Sequence, residues 1–220
     1  MRTDILRKTA LTIAAAAATA GGIAGPAIAA QATPGAQASA AVVQADRKSN
    51  GERQLDVRYE AQPNFYYCGP AATRNALSVQ GKNIDVHAMA KQMGTTEAGT
   101  NSINDITPVL NKETGKDVYK SVEIPGARAE AKQVEKLRED VVRTVDGGRA
   151  VVANIAGTTT DTDGTTHAFE GGHYISVVGY HDNGDTVTVA DSADPAQASY
   201  QVSIDALANW IASRGYSTAS

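Results

Sequence analysis

Residues 62–72 read Gln-Pro-Asn-Phe-Tyr-Tyr-Cys-Gly-Pro-Ala-Ala, a polar turn that leads into the start of a helix. Pro70 suits the first helical turn, because its missing N–H would have no intrahelical partner there. The small apolar residues that follow predict a helix from Cys68 to about Val79. Cys68 then stands at the helix N-terminus, where unpaired N–H groups and the helix dipole favour a negatively charged sulfur.

Cys68 is the only cysteine of the chain, so it has no intramolecular disulfide partner. One interpretation is a structural thiol buried in the core. The other is a catalytic nucleophile, which needs a helix start, a nearby base and donors for the oxyanion of a tetrahedral intermediate. The backbone N–H of Cys68 can supply one donor. The side-chain amide of Gln62, six residues upstream across a turn, can supply another.

The best candidate for the base among four histidines is His173. We expect His87 to be an ordinary surface or packing residue of a helix. His167 is expected in a polar loop without an orienting neighbour, and His181 at the entrance of a hairpin turn. His173 instead follows Gly171-Gly172 and begins an apolar strand, which would hold the imidazole rigidly.

An acidic residue must orient that imidazole through its second nitrogen. Asp191 ends the strand after the predicted hairpin turn at residues 182–185, at a distance from the turn comparable to that of His173. We therefore expect His173 and Asp191 to be neighbours. Asp194, three residues later, is the alternative.

The rest of the chain predicts an α+β fold, with helices before an antiparallel sheet. The predicted helices are 68–79, 86–93 (capped by Asp85), one capped by Asn101 or Ser102 and ending near Leu110, 130–145 and 204–212. The predicted strands are 57–59, 118–124, 150–155, 173–180 and 186–190. Residues 157–172 are expected to form a polar loop before His173.

These motifs resemble the double-glycine, or bacteriocin-processing, peptidases, which form cysteine-peptidase family thirty-nine in the papain-like superfamily. Gln-x5-Cys-Gly-Pro-Ala is followed by Gly-His-Tyr, a β-branched strand with Val-Gly-Tyr, and a strand that ends in Asp. The resemblance covers most of residues 55–195 and is closest to stand-alone secreted relatives. It implies a papain-like fold without metal or cofactor and a thiol triad. It assigns Cys68 as nucleophile, His173 as base, Asp191 as orienter and Gln62 as oxyanion donor.

Two departures limit what the resemblance implies. Leader-processing members are fused to transporter domains, whereas this chain has no Gly-x4-Gly-Lys phosphate loop. Cleavage after double glycine is therefore not carried over. Many relatives also place Pro directly after the triad Asp, but Asp191 is followed by Ser-Ala-Asp-Pro, which keeps Asp194 open.

The N-terminus indicates export. Residues 1–30 combine basic residues, an alanine-rich apolar run and Ala27-Ile28-Ala29, which is typical of a cleaved secretory signal. A membrane anchor is the alternative, but Gly and Pro interrupt the apolar run. Residues 31–51 have the composition of a disordered linker or propeptide. Residues 52–220 are predicted to form a single catalytic domain.

The composition narrows the set of partners. Residues 52–220 carry 15 basic and 22 acidic side chains, a formal charge of −7 that disfavours nucleic acid and anionic membranes. We expect a monomer that acts on a peptide or protein and has no stable membrane association after signal removal. Three rival functions remain at this stage: acyl transfer to an amine (transpeptidase or transglutaminase), cell-wall amide hydrolysis, and a non-catalytic binding module.

Overall fold

The computed structural model describes residues 51–220, which belong to one structural unit. The predicted signal peptide and nearly all of the predicted linker lie outside the described residues. Within the described part, no helix has the length and apolar character needed to span a bilayer.

Three helices come before six of the seven strands in the chain. They are α1 (Cys68–Ser78), α2 (Val86–Gln92) and α3 (Ile103–Thr114). The Asp85 side chain caps α2, and Ser102 and Asp105 form a capping box at the start of α3. Two further helices, α4 (Ala131–Asp146) and α5 (Ile204–Ile211), occur later in the chain. All five correspond to predicted helices, with boundaries shifted by a few residues.

Seven antiparallel strands form one sheet in the order β2-β7-β3-β4-β5-β6, with β1 pairing beside the end of β4. Their bounds are β1 (Arg53–Gln54), β2 (Tyr119–Ile124), β3 (Val151–Thr160), β4 (Thr166–His181), β5 (Thr186–Ala190), β6 (Ser199–Ser203) and β7 (Arg214–Ala219). The predicted α+β class, with helices packed on an antiparallel sheet, is confirmed.

The sheet is covered on both faces. Alternate residues of β4 enter two different apolar clusters: Ile175 and Val177 pack with α4 and α5, whereas Tyr174 and Val178 pack with α1, α2 and α3. Because the central strands are buried on both sides, they are nearly continuous apolar runs rather than alternating ones. The central strand β4 thus links both halves of the core, and it begins its apolar run at His173.

Several strand predictions were wrong. Residues 57–59 are not a strand, and the edge strand lies earlier, at Arg53–Gln54. The predicted loop 157–172 is instead the extended end of the β3–β4 hairpin, whose turn spans only residues 161–165. Two strands, β6 and β7, were not predicted. The tight turn after β4 is present, with positive φ at Asp182, Asn183 and Gly184.

Candidate active site

Cys68 is the first residue of α1 and is 8% exposed. No side chain in the described part of the chain caps this helix end, so the first N–H groups of α1 remain available around the sulfur. Gly69 is needed next to Cys68, because a Cβ there would lie 2.4 Å from the Thr100 hydroxyl. This close approach places the segment around Thr100 as one wall beside the helix start.

His173 and Asp191 are in direct contact, both about 4% exposed or less. The His173 Nε2 lies 2.7 Å from Asp191 Oδ1, and the Cys68 side chain is close enough to the ring to contribute to its raised pKa. Since Nε2 is hydrogen-bonded to Asp191, Nδ1 is the ring nitrogen that remains to interact with the thiol. Asp191 is itself held by the backbone N–H of Ala193 (2.9 Å) and the hydroxyl of Tyr200 (2.8 Å).

A β-bulge in β4 shapes the site. Ile155 pairs with His173 and Gly157 pairs with Phe169, so residues 170–172 lie opposite a single residue of β3. In a regular strand, side chains four residues apart are too far from each other along the strand for the rings of Phe169 and His173 to touch. The bulge brings their centroids to 4.1 Å in a stacked arrangement. Phe169 therefore covers one face of the imidazole.

The ionisation of the pair follows from these contacts. Burial alone would lower the pKa of His173, but hydrogen bonds and opposite charge from Asp191 and Cys68 outweigh it and raise the pKa to about 9. Burial would likewise raise the pKa of Asp191. The partners His173, Ala193 and Tyr200 instead hold that pKa below its ordinary value. The ring is thus protonated, and the carboxyl ionised, at neutral pH.

Gln62 is anchored to the same end of the site. Its backbone N–H donates to Ser192 O (2.9 Å), and its side-chain Oε1 accepts from the Ser192 hydroxyl (3.0 Å). Its amide nitrogen donates to Asn64 O (3.0 Å). The amide carries two hydrogens, so one remains after this bond. Ser192, the neighbour of Asp191, therefore ties the predicted oxyanion donor to the predicted orienter.

The competing candidates are placed elsewhere. Asp194 caps the short 3₁₀ turn Pro195–Gln197 and has no hydrogen bond to His173. His87 lies exposed on α2 beside Tyr67, as expected. His181 is half-buried near Glu52. The expectation for His167 was wrong: it is buried, and its Nε2 lies 2.9 Å from Asp161 Oδ2, because the hairpin extension folds Asp161 back onto it.

Cys68 and His173 open onto a cleft of about 330 Å³. Its rear wall is a hydrogen-bonded chain in which Asn154 donates to the Tyr174 hydroxyl (3.0 Å), and that hydroxyl donates to Thr100 O (3.2 Å). Arg214, from the unpredicted strand β7, also lines the cleft. Sequence reasoning used Tyr174 only as part of the Gly-His-Tyr motif and gave no role to Thr100, Asn154 or Arg214, because the four residues come from separate segments.

The side chains around the site are of types that can also act as metal ligands. Among residues 51–220, no group of three or more His, Cys, Asp or Glu side chains is arranged to hold an ion. The arrangement that is present, a thiol at a helix start beside a protonated imidazole and a buried carboxylate, has the components of nucleophilic acyl chemistry.

Several solved structures are similar to this chain. A candidate C39-like peptidase from Bacillus anthracis superposes with a TM-score of 0.50 at 13% identity, covering 75% of this chain and 95% of that one. The peptidase domain of Streptococcus ComA, a bifunctional ABC transporter, gives 0.47 at 14% identity, covering 73% and 97%. A double glycine motif protease from an AMS/PCAT transporter, in complex with the leader peptide, gives 0.47 at 13%, covering 80% and 100%.

The search of curated proteins gave no match to this chain. The family model, by contrast, aligns with residues 54–218. This range includes every predicted site residue and the whole sheet except its first residue, Arg53, and its last, Ala219. That span is well over half of the sequence, and the resemblance inferred from the motifs around Cys68 and His173 points to the same group. The chain belongs to the Peptidase_C39 like family.

Proposed function

We propose that this protein is a secreted cysteine peptidase that hydrolyses peptide bonds through a thioester on Cys68. The observation that carries the proposal is the His173 ring, which is hydrogen-bonded to Asp191 through Nε2 and lines one cleft together with Cys68. A protonated imidazole next to the sulfur favours the thiolate, which is the reactive form.

The proposed reaction has two stages. The Cys68 thiolate attacks the substrate carbonyl carbon, and the oxyanion is stabilised by the Cys68 backbone N–H and the remaining Gln62 amide hydrogen. His173 then gives its proton to the leaving amine as the C–N bond breaks. In the second stage His173 takes a proton from water, the resulting hydroxide attacks the thioester, and the thiolate leaves. Asp191 keeps the ring oriented and stabilises its charge throughout.

Labelling with iodoacetamide near pH 6 tests the proposed thiol chemistry. We expect Cys68 to react at least about tenfold faster than free cysteine, because a neighbouring imidazole and a helix start activate a cysteine nucleophile. His173→Ala removes the imidazolium and should bring the rate down to that of the free amino acid. His181→Ala, a histidine outside the cleft, is the matched control and should react like the wild type. Equal labelling of wild type and His173→Ala would leave a non-catalytic binding module as the better description.

Cleavage of a peptide library, followed by mass spectrometry, tests the reaction itself. Wild type should produce fragments, Cys68→Ala none, and His173→Ala should be slower by about 10²–10⁴-fold. Adding an excess of a small amine distinguishes hydrolysis from acyl transfer, because a transferase would attach the amine to the new C-terminus. Clearing of purified cell walls is the corresponding test for an amidase.

We also propose that residues 1–30 direct export and are removed. Support comes from their composition and from the Ala27-Ile28-Ala29 pattern alone. The N-terminus of the protein recovered from the culture medium is the measurement. Retention of residues 1–30 on a cell-bound protein would contradict the proposal and favour an anchor.

A further inference from the structure

Arg214 occupies an unusual place in the cleft. It is the first residue of β7, and its backbone is paired with Ile124 of β2, so the side chain starts from a rigid strand. Its guanidinium reaches over the bulge: a Cβ built on Gly172 would lie 3.3 Å from an Arg214 Nη atom. Gly172 directly precedes His173. The positive charge therefore lies beside the residue that we propose as the base.

Among residues 51–220, no carboxylate forms an ion pair with this guanidinium. No hydrogen bond of the Arg214 side chain to a described residue is present, and its Nε is buried without a partner among them. Two other arginines with buried or half-buried side chains are paired with carboxylates: Arg74 with Glu60 (2.8 Å) and Arg138 with Asp185 (2.9 Å). In a domain with an excess of acidic side chains, a half-buried arginine without a carboxylate is a place where a ligand's carboxylate would fit.

The field of Arg214 reaches the interior of the cleft. Burial raises the pKa of Tyr174, with smaller contributions from Cys68 and Asp105, and the positive charge of Arg214 opposes the shift. Glu97 is the other permanently charged residue in the described lining of the cleft. It is exposed on the rim and forms no ion pair with Arg214 in this structure. The guanidinium is therefore free to bind a group that enters the cleft.

We propose that Arg214 is a specificity-determining residue that binds a carboxylate of the peptide substrate close to the bond that is cleaved. The inference rests on the proposed peptidase function. The carboxylate belongs either to an acidic side chain or to the C-terminus of the substrate. Both present the planar pair of oxygens that a guanidinium binds through two parallel hydrogen bonds.

Binding measured without turnover tests this inference separately from catalysis. A pooled peptide library containing matched Glu and Gln members, each with a free or an amidated C-terminus, is incubated with Cys68→Ala protein. Captured peptides are quantified by mass spectrometry. We expect the acidic member of the relevant pair to be enriched about tenfold to a hundredfold, since charge-assisted hydrogen bonds are strong. Enrichment of Glu over Gln identifies a side chain, and enrichment of free over amidated ends identifies the C-terminus.

The double variant Cys68→Ala/Arg214→Gln should lose this enrichment, whereas Cys68→Ala/Arg128→Gln, which removes an exposed arginine outside the cleft, should keep it. In the catalytically intact background, Arg214→Gln should lower kcat/KM for the acidic substrate and leave that for its amide partner unchanged. Equal capture of acidic and neutral members by Cys68→Ala overturns the inference even if peptides are cleaved. Acidic enrichment without any cleavage by the wild type supports the inference and contradicts the proposed hydrolysis.

Discussion

The imidazole of His173 is hydrogen-bonded to Asp191 through Nε2 and has the Cys68 side chain as a neighbour. These contacts keep it protonated to unusually high pH, because they outweigh the effect of burial and raise its pKa to about 9. The group therefore adds stability below its unfolded pKa of about 6.5, and this contribution is lost as the pH rises through about 9.

We expect kcat/KM for peptide cleavage to decline on the alkaline side near pH 9, because the leaving amine then has no proton donor. Asp191→Asn removes the negative partner and should move this alkaline limb to lower pH. A pH profile of the two proteins measures the shift. An alkaline limb that is the same in both would show that Asp191 does not control the ionisation of His173.

Tyr200 contributes at the same scale, because its hydroxyl donates to the second oxygen of the buried Asp191 (2.8 Å). Tyr200→Phe leaves that oxygen without this donor and should lower the free energy of unfolding by about 1–3 kcal/mol. Tyr59→Phe is the matched control, since the Tyr59 hydroxyl is buried near Asp191 but has no hydrogen-bond partner. It should change stability by about 0.5 kcal/mol or less. Urea denaturation compares the two, and equal effects would contradict the assigned hydrogen bond.

At the scale of the element, the bulge of β4 is the feature on which the site depends. It stacks Phe169 on His173 and brings Gly172 under Arg214. Gly172 has a φ of +92°, a left-handed value that residues with a Cβ rarely adopt. Its neighbour Gly171 has an ordinary φ and open space around it.

Gly172→Ala should therefore cost about 1–3 kcal/mol of stability, because the new methyl group is strained and meets the Arg214 guanidinium. Gly171→Ala should stay within about 0.5 kcal/mol of the wild type. Chemical denaturation gives both values, and iodoacetamide labelling reports whether the environment of Cys68 changes with them. If Gly172→Ala left the free energy of unfolding unchanged, the bulge would have to adopt another backbone conformation.

At the scale of the whole molecule, the two apolar clusters share the strands of one sheet. Leu110 lies on the face covered by α1, α2 and α3, and Trp210, the single tryptophan, lies on the opposite face; both are essentially inaccessible to solvent. Because β3 and β4 contribute side chains to both clusters, neither face can lose its packing alone.

We expect Leu110→Ala to shift the urea transition monitored by Trp210 fluorescence by about 2–5 kcal/mol, although the mutation is on the other face. Far-UV circular dichroism should report the same transition. Leu137→Ala, on the same face as Trp210, is the control and should show a loss of similar size. A Trp210 transition that did not respond to Leu110→Ala would mean that the two faces unfold independently.

The sequence alone determined the helix start at Cys68, the apolar strand after His173, the turn between His173 and Asp191, and the α+β class. Each of these follows from neighbouring residues, through a proline at a first turn, β-branched runs or turn-forming residues. Adjacent strands of a hairpin pair in a register that the turn sets, so the proximity of His173 to Asp191 was predictable. The roles of these residues in catalysis remain predictions.

Only the tertiary structure decided the rest. The strands β6 and β7 each contain only one β-branched residue, so their sequences do not indicate a strand, and pairing within the sheet decides their conformation. The bulge at residues 170–172 and the position of Arg214 depend on the way β3, β4 and β7 pair within the sheet. No local pattern encodes such contacts, because their free energy comes from packing and hydrogen bonds between residues distant in the chain. For that reason the sequence could indicate a thiol nucleophile, and the unpaired arginine beside it became visible only in the folded molecule.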